Sequence, residues 1–230
     1  MLLLAIDTSG KQGSIALARA GERSKDSDRD DLAVIEIVPL TGGTFSAQLV
    51  PQIAALLASH GLNKREIAAF AVAAGPGSFT GLRIGLAAVK GLAEVFDKPI
   101  AAVSLLEVCA LSSGVQGKIM AALDAGRTDV YVGEYEMPAS PGQVQRERIL
   151  TRSDFLSQAK GWTVVTPDSI VAEAANAAGL TVTTLAPVSA AAIARLGWRK
   201  ICSGESVTPE QLDANYIRRT DAEMLEKSRS

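Results

Sequence analysis

The sequence predicts an α/β protein of two similar lobes, each a mixed sheet flanked by helices. Three observations predict it. In residues 1–104, short apolar runs and segments of helical periodicity follow in the order strand, strand, strand, helix, strand, helix, strand. Residues 105–205 repeat the theme with shorter elements. Both halves also share a signature: Leu4-Ala5-Ile6-Asp7 is answered by Ala122-Leu123-Asp124, and each Asp ends an apolar run and opens a hairpin. Two facing carboxylates suggest a cleft between the lobes, although Asp favours turns in any case. Residues 206–230 form a tail whose end is expected to be disordered.

Leu2–Ile6 is apolar throughout, the pattern of a strand covered on both faces. Asp7-Thr8-Ser9-Gly10 breaks it, and Ser14–Ala18 returns as the second arm of a hairpin. The charged stretch from Arg19 to Asp31 cannot bury and reads as a solvated loop before a third strand over Ala33–Val38. Leu49, Ile53, Leu56 and Leu57 recur at helical spacing within Ser46–Ser59, where Pro51 sits early enough to be tolerated. A strand over Ala68–Ala73, a helix over Thr80–Phe96 and a strand over Ile100–Val103 complete the first lobe. In the second, Lys118–Leu123 and Val130–Tyr135 form the hairpin, with weaker strands near Arg146–Leu150, Thr163–Val165 and Thr181–Leu185. Helices are expected near Ser153–Gln158, Ile170–Ala178 and Ser189–Ile201.

Composition narrows the function. Of 230 residues 47% are hydrophobic and 21% charged, enough to bury a real core, but only 4% are aromatic, so aliphatic side chains must fill it. Twenty-three Lys and Arg against 25 Asp and Glu give a net charge of -2, which does not resemble the basic surface that holds a phosphate backbone. Strong direct tRNA or other nucleic-acid binding is not expected. Cys109 and Cys202 lack metal-type spacing and read as free thiols. The apolar start is too short for a signal peptide and no stretch reaches membrane-spanning length, so a cytoplasmic protein is expected. His60, the one histidine, reads as a solvated residue at a helix end.

The most unusual stretch begins at Gly75-Pro76-Gly77-Ser78-Phe79-Thr80-Gly81. It lacks the Gly-Lys-Ser/Thr of a P-loop and the flanking glycines of a nucleophile elbow, so Ser78 reads as a helix cap rather than a nucleophile. The helix that follows is apolar around most of its circumference. Leu82, Leu86, Val89, Ala93 and Phe96 make one stripe; Gly81, Gly85, Ala88 and Leu92 make another. Gly85 and Gly91 each cost about 1 kcal/mol of helix propensity relative to Ala, understandable where a backbone must be approached closely. The pattern admits two readings: a helix buried between its own sheet and a neighbouring helix, or one with a stripe facing a partner subunit.

At this point the chain resembles a known family. The opening Leu-Ala-Ile-Asp-Thr-Ser, the block Gly-Pro-Gly-Ser-Phe-Thr-Gly-Leu-Arg-Ile-Gly and the closing Ala214-Asn215-Tyr216-Ile217-Arg218-Arg219-Thr220-Asp221-Ala222-Glu223 are similar to the TsaB (YeaZ) family. The resemblance implies a two-lobed actin-like, ribonuclease-H-like fold of the acetate and sugar kinase superfamily (ASKHA). It implies a non-catalytic role in forming threonylcarbamoyladenosine beside the anticodon of tRNAs that read ANN codons. It further implies a heterodimer with a TsaD-type catalytic paralogue, recruitment of a TsaE-type ATPase, and a homodimer when the chain is isolated. ATP would be used by the complex, with no cofactor and no metal held by this chain alone. The partner surface is expected at Ser46, Leu49, Ile53, Gly81, Arg83, Ile84, Gly85, Ala88 and Leu92, and the inter-lobe cleft at Asp7, Thr8, Ser9, Gly75, Gly77, Ser78 and Asp124.

Departures from the family pattern are Phe45 before Ser46, Gly126-Arg127-Thr128-Asp129 after the second Asp, and Thr166-Pro167-Asp168-Ser169 in place of a glycine-rich nucleotide-seating turn. The catalytic paralogue's His-x-x-x-His metal motif cannot exist with one histidine. A second reading remains: a small actin-like kinase or carbamoyltransferase with Asp7 and Asp124 flanking a metal-bound phosphate. A metalloprotease fails on ligand count.

Overall fold

In the computed structural model, which describes residues 1–21, 32–41, 43–137, 146–215 and 217, the first sheet is built around an entirely buried strand. That strand, β1 (Leu2–Asp7), pairs antiparallel with β2 (Gly13–Ala20), which pairs antiparallel with β3 (Leu32–Leu40). On its other side β1 runs parallel to β4 (Ile67–Gly75), and β4 to β5 (Ile100–Ser104), giving the order β3-β2-β1-β4-β5. The strand alternation sorts large from small. Leu2, Leu4, Ile6, Ile15, Leu17, Phe70 and Val72 face α1 (Phe45–Ser59) and α2 (Phe79–Phe96). The opposite face is paved with Ala5, Ala16, Ala18, Ala69, Ala71, Ala73 and Ala101. The scarcity of aromatics is legible here: a floor of methyl groups lets a helix sit close.

The second sheet repeats the first. Here β6 (Gly117–Asp124) pairs antiparallel with β7 (Asp129–Met137), β7 with β8 (Arg146–Thr151), and β6 runs parallel to β9 (Thr163–Thr166), beside β10 (Thr181–Thr184). Written from the other edge the order is β8-β7-β6-β9-β10, matching β3-β2-β1-β4-β5 strand for strand. The duplication first seen in two Asp-terminated strands extends to the whole topology, and the two-lobed actin-like fold follows. Short helices α4 (Arg152–Gln158) and α5 (Ser169–Ala177) cover one face through Phe155, Val171 and Ala175.

Two features differ from expectation. A helix, α3 (Leu105–Ser112), occupies a stretch where the sequence predicts no element, and it lies between the lobes. Leu105 and Val108 join the core of the first sheet, while Leu106 and Cys109 join that of the second. Being buried at every position from Leu105 to Ala110, Glu107 included, it shows no amphipathic period. Its start was readable, since Ser104 accepts from the Glu107 backbone N–H in the Ser-x-x-Glu pattern of a helix cap. The last helix, α6 (Ala190–Ser203), expected as part of the second lobe, packs on the alanine face of the first sheet. Gly197 makes that possible: a Cβ there would lie 2.4 Å from the Ala71 Cβ.

Between α3 and α6, Lys200 Nζ lies 3.0 Å from Glu107 Oε2, with both residues buried. The first hairpin runs longer than expected, β2 reaching Ala20; the rest of the charged loop, residues 22–31, lies outside the described residues, as does the tail's end from 218 onward. Among the described residues no helix is long and apolar enough to cross a membrane.

Candidate functional site

The loop that leaves β1 is stitched to the first turn of α2. Asp7 Oδ1 accepts from the Ser9 backbone N–H (2.9 Å) and the Ser9 hydroxyl (2.6 Å). The Ser9 carbonyl accepts from Ser78 N–H at 2.7 Å, and Thr8 Oγ1 donates to the Gly81 carbonyl at 2.7 Å. Ser78 is the N-cap of α2, its hydroxyl accepting from Gly81 N–H, which bears out its reading as a cap. Burial raises the Asp7 carboxyl above its ordinary value of 3.8, opposed only in part by the Ser9 bonds.

This stitching explains the glycines of the unusual block. A Cβ on Gly77 would lie 2.6 Å from the Ser9 carbonyl oxygen, and one on Gly81 2.0 Å from that of Thr8. A Cβ on Gly85 would meet Thr8 Oγ1 at 2.5 Å, with Ile6 and Val72 just beyond. Gly81 and Gly85 therefore face their own sheet, and their assignment to a partner surface is corrected. The close approach that the glycines permit is intramolecular. Leu49 and Ile53 also point inward, each at most 5% exposed, while Ile84, Ala88 and Leu92 are half-buried against the same core. Of the expected partner residues only Ser46 and Arg83 are exposed, and Arg83 stacks on the Phe79 ring, 3.7 Å from its centroid.

The exposed face of this helical layer lies one step around each helix. Ala47, Val50, Pro51, Ala54 and Ala58 are exposed on α1, which carries no charged residue along its 15 positions. On α2, in the same layer, Ala87 and Val95 are exposed together with Arg83 and Glu94, Val95 at 75%.

A cleft of about 670 Å³ opens between the lobes. Ser9, Gly77 and Ser78 line it from one side, Asp124 and Tyr131 from the other, and Phe45 and Phe79 at its flank. Asp7 does not line it, being 5% exposed and turned onto Ser9. Thr8 is spent on Gly81, and Gly75, joined to Pro76 by a cis peptide, packs against the tail, where a Cβ would lie 3.0 Å from the Asn215 carbonyl oxygen. The symmetric pair of carboxylates is thus not symmetric in use: one is internal and one faces the cleft.

Asp124 N–H donates to Asp168 Oδ2 at 2.7 Å, so the Thr166-Pro167-Asp168-Ser169 turn closes on the second Asp. Burial raises the Asp168 carboxyl, and the charge of Asp124 adds to it. Among the described residues no group of three or more His, Cys, Asp or Glu is gathered as a metal would need. His60 caps the end of α1 with its Nε2 2.7 Å from Glu36 Oε2. Cys109 is buried and its thiol pushed up to about 12 by desolvation, while Cys202 is half-buried; the two form no disulfide.

One carboxylate had no sequence signal. Glu147, on edge strand β8, accepts from the Ser104 hydroxyl, from the Tyr135 hydroxyl at 2.9 Å and from the Asn215 side-chain amide. Asn215 N–H also donates to the Ala74 carbonyl at 2.7 Å, so the tail is pinned across both lobes.

Comparisons with known proteins place this geometry. A family model for "TsaD: tRNA N6-adenosine threonylcarbamoyltransferase" matches residues 37–158. The tRNA threonylcarbamoyladenosine biosynthesis protein TsaB of Haemophilus influenzae is 34% identical over 158 residues, 67% of this chain and 58% of that protein. TsaB of Bacillus subtilis is 36% identical over 137 residues, 59% of this chain and 56% of that protein. The chain thus spans little more than half the length of these curated relatives. Among solved structures, an uncharacterized Pseudomonas aeruginosa protein with similarity to peptidase YEAZ superposes with a TM-score of 0.72 at 26% identity, over 94% of this chain and 99% of that one.

Proposed function

Because the chain belongs to the TsaB (YeaZ) family, we propose that it works in tRNA threonylcarbamoyladenosine biosynthesis as a non-catalytic subunit that pairs with a TsaD-type catalytic paralogue. The observation that carries this reading is the outer face of α1 and α2. A surface helix ordinarily opposes its apolar stripe with charged residues; α1 has none, and Ala47, Val50, Pro51, Ala54 and Ala58 leave a shallow, uncharged surface, while the neighbouring α2 exposes Ala87 and Val95 among the charged Arg83 and Glu94. Small side chains let a second helical layer approach closely, and such a patch is costly to leave in water at about 25 cal/mol per Å² of apolar area. The paralogue derives from the same fold and offers the equivalent layer, so one surface serves the heterodimer and, in isolation, a homodimer. The pair recruits a TsaE-type ATPase in the cytoplasm and uses its ATP.

The kinase reading needs Asp7 at a metal-bound phosphate; Asp7 is instead buried and held by Ser9, which favours the scaffold reading. A thermal-shift scan with ATP and magnesium on the isolated chain is expected to show no stabilisation, and a rise of several degrees would favour the kinase.

The test of pairing is Ala54→Asp, at an exposed position that places an unpaired charge in the centre of the patch. Size-exclusion chromatography and co-purification with the TsaD-type subunit should show a chain that melts like the wild type but no longer associates. Undiminished pairing would move the partner surface elsewhere.

A further inference from the structure

On the face of the first sheet opposite α1 and α2, a groove of about 390 Å³ runs between α3 and α6. Its floor is apolar, formed by Val108 and Leu111 of α3 and Leu196 of α6. Its rim carries Arg195 and Arg199, one helical turn apart on α6. None of the residues that line it is acidic. The nearest carboxylate in the sequence of α3, Glu107, is taken by Lys200 at 3.0 Å. Among the described residues, no ion pair involves either arginine; Arg195 reaches only the Leu32 carbonyl, at 3.4 Å. Ser189 at the head of α6 also lines the groove and makes no side-chain cap bond, which leaves its hydroxyl to a ligand.

We propose that this groove docks an acidic amphipathic helix of a partner protein. Two carboxylates one turn apart on that helix would each take a guanidinium, and an apolar side chain between them would fill the floor. The spacing follows from α6 itself, whose arginines repeat every turn and so match carboxylates that repeat every turn. Guanidinium groups suit carboxylates because two parallel N–H donors meet two oxygens. The apolar floor is what separates this occupant from RNA. A phosphate backbone needs many cations and no apolar slot, and the net charge of -2 gives no general attraction for it. Docking here is independent of the α1 and α2 face, since the whole sheet lies between them.

The test uses the full chain and a fluorescein-labelled, alanine-rich helical peptide of about four turns with two glutamates one turn apart beside a leucine. Fluorescence anisotropy should show saturable binding that weakens with salt. Arg195→Ala with Arg199→Ala should weaken it by about tenfold or more, as loss of desolvated arginine anchors does. Arg195→Lys with Arg199→Lys, keeping charge without the fork, should fall between. Ala54→Asp should bind the peptide as the wild type does, which separates this docking from subunit pairing. If the double alanine variant melts early, Arg195→Glu at the exposed position makes the same comparison. No saturation, or equal binding by wild type and arginine variants, would overturn the proposal. So would an oligouridylate that binds through the same arginines as tightly as the peptide. Binding that emerges only when Asp30 and Asp31 are changed to Asn would also overturn it, by assigning the arginines to the chain's own acidic segment.

Discussion

The same substitution at two positions of α2 should act with opposite sign. Gly81→Ala would place a methyl group 2.0 Å from the Thr8 carbonyl oxygen, a backbone atom that cannot rotate away. That is short of any tolerable contact by about 1 Å, so the head of α2 must shift off the end of β1. Such overpacking costs about 1–3 kcal/mol. The shift also weakens the Thr8 hydroxyl bond to the Gly81 carbonyl, worth about 1 kcal/mol. Alanine's better helix propensity returns at most about 1 kcal/mol. The net loss is therefore about 1–3 kcal/mol, which for a chain of this size lowers Tm by about 2–4 °C per kcal/mol. At Gly91 the built Cβ meets nothing within 4 Å and the position is exposed. Gly91→Ala should gain about 0.5–1 kcal/mol and raise Tm by a few degrees. Urea unfolding followed by circular dichroism, at one protein concentration for all three chains, reads both. A Gly81→Ala chain as stable as the wild type would refute the internal placement of that face and return it to the partner surface.

Two further outcomes follow from buried charge. Because burial raises the Asp7 carboxyl, the folded chain holds that proton more tightly than the unfolded chain does, so the group's contribution is present below the ordinary carboxylate range and is lost as pH rises through the raised value. Asp7→Asn, which keeps an oxygen for both Ser9 bonds, should thus raise Tm at pH 7 with a gain that closes toward about pH 4; a gain that grows on acidification would contradict the cause given. Glu107→Gln should cost about 3 kcal/mol in urea unfolding, since it strands Lys200 with only Glu205 at 3.6 Å, and adding Lys200→Met should restore most of it. A neutral Glu107→Gln would mean that the pair contributes nothing to holding α3 on α6.

Element types were legible wherever a period existed. The apolar run of β1, the spacing of Leu49, Ile53 and Leu56, and the Asp that ends each first strand all led to the observed elements, with limits off by one or two residues. What failed had no period or depended on a neighbour. Between the lobes, α3 is buried at every position from Leu105 to Ala110, so only its capping pattern could announce it. The glycines in the second stripe of α2 announce a close approach, but a sequence does not say what approaches; the carbonyl of Thr8 does. Asp7 and Asp124 look alike in sequence, yet Ser9 draws one inside. Glu147 and Asn215 meet across 68 residues, a distance at which local pattern carries no information.

The return of α6 to the first sheet has a consequence for biosynthesis. The head of α6 is bonded to Ser14 across 176 residues, Ala190 N–H donating to the serine hydroxyl at 2.9 Å. A ribosome therefore delivers all five strands of the first sheet, then the entire second sheet, before it delivers the helix that covers the alanine face. Until Ser203 has emerged, that face has only the partial cover of α3, through Leu105 and Val108, and the slow, long-range closure that native contacts of such separation impose comes last. The two lobes are separate in sequence and in sheet, but they are finished together.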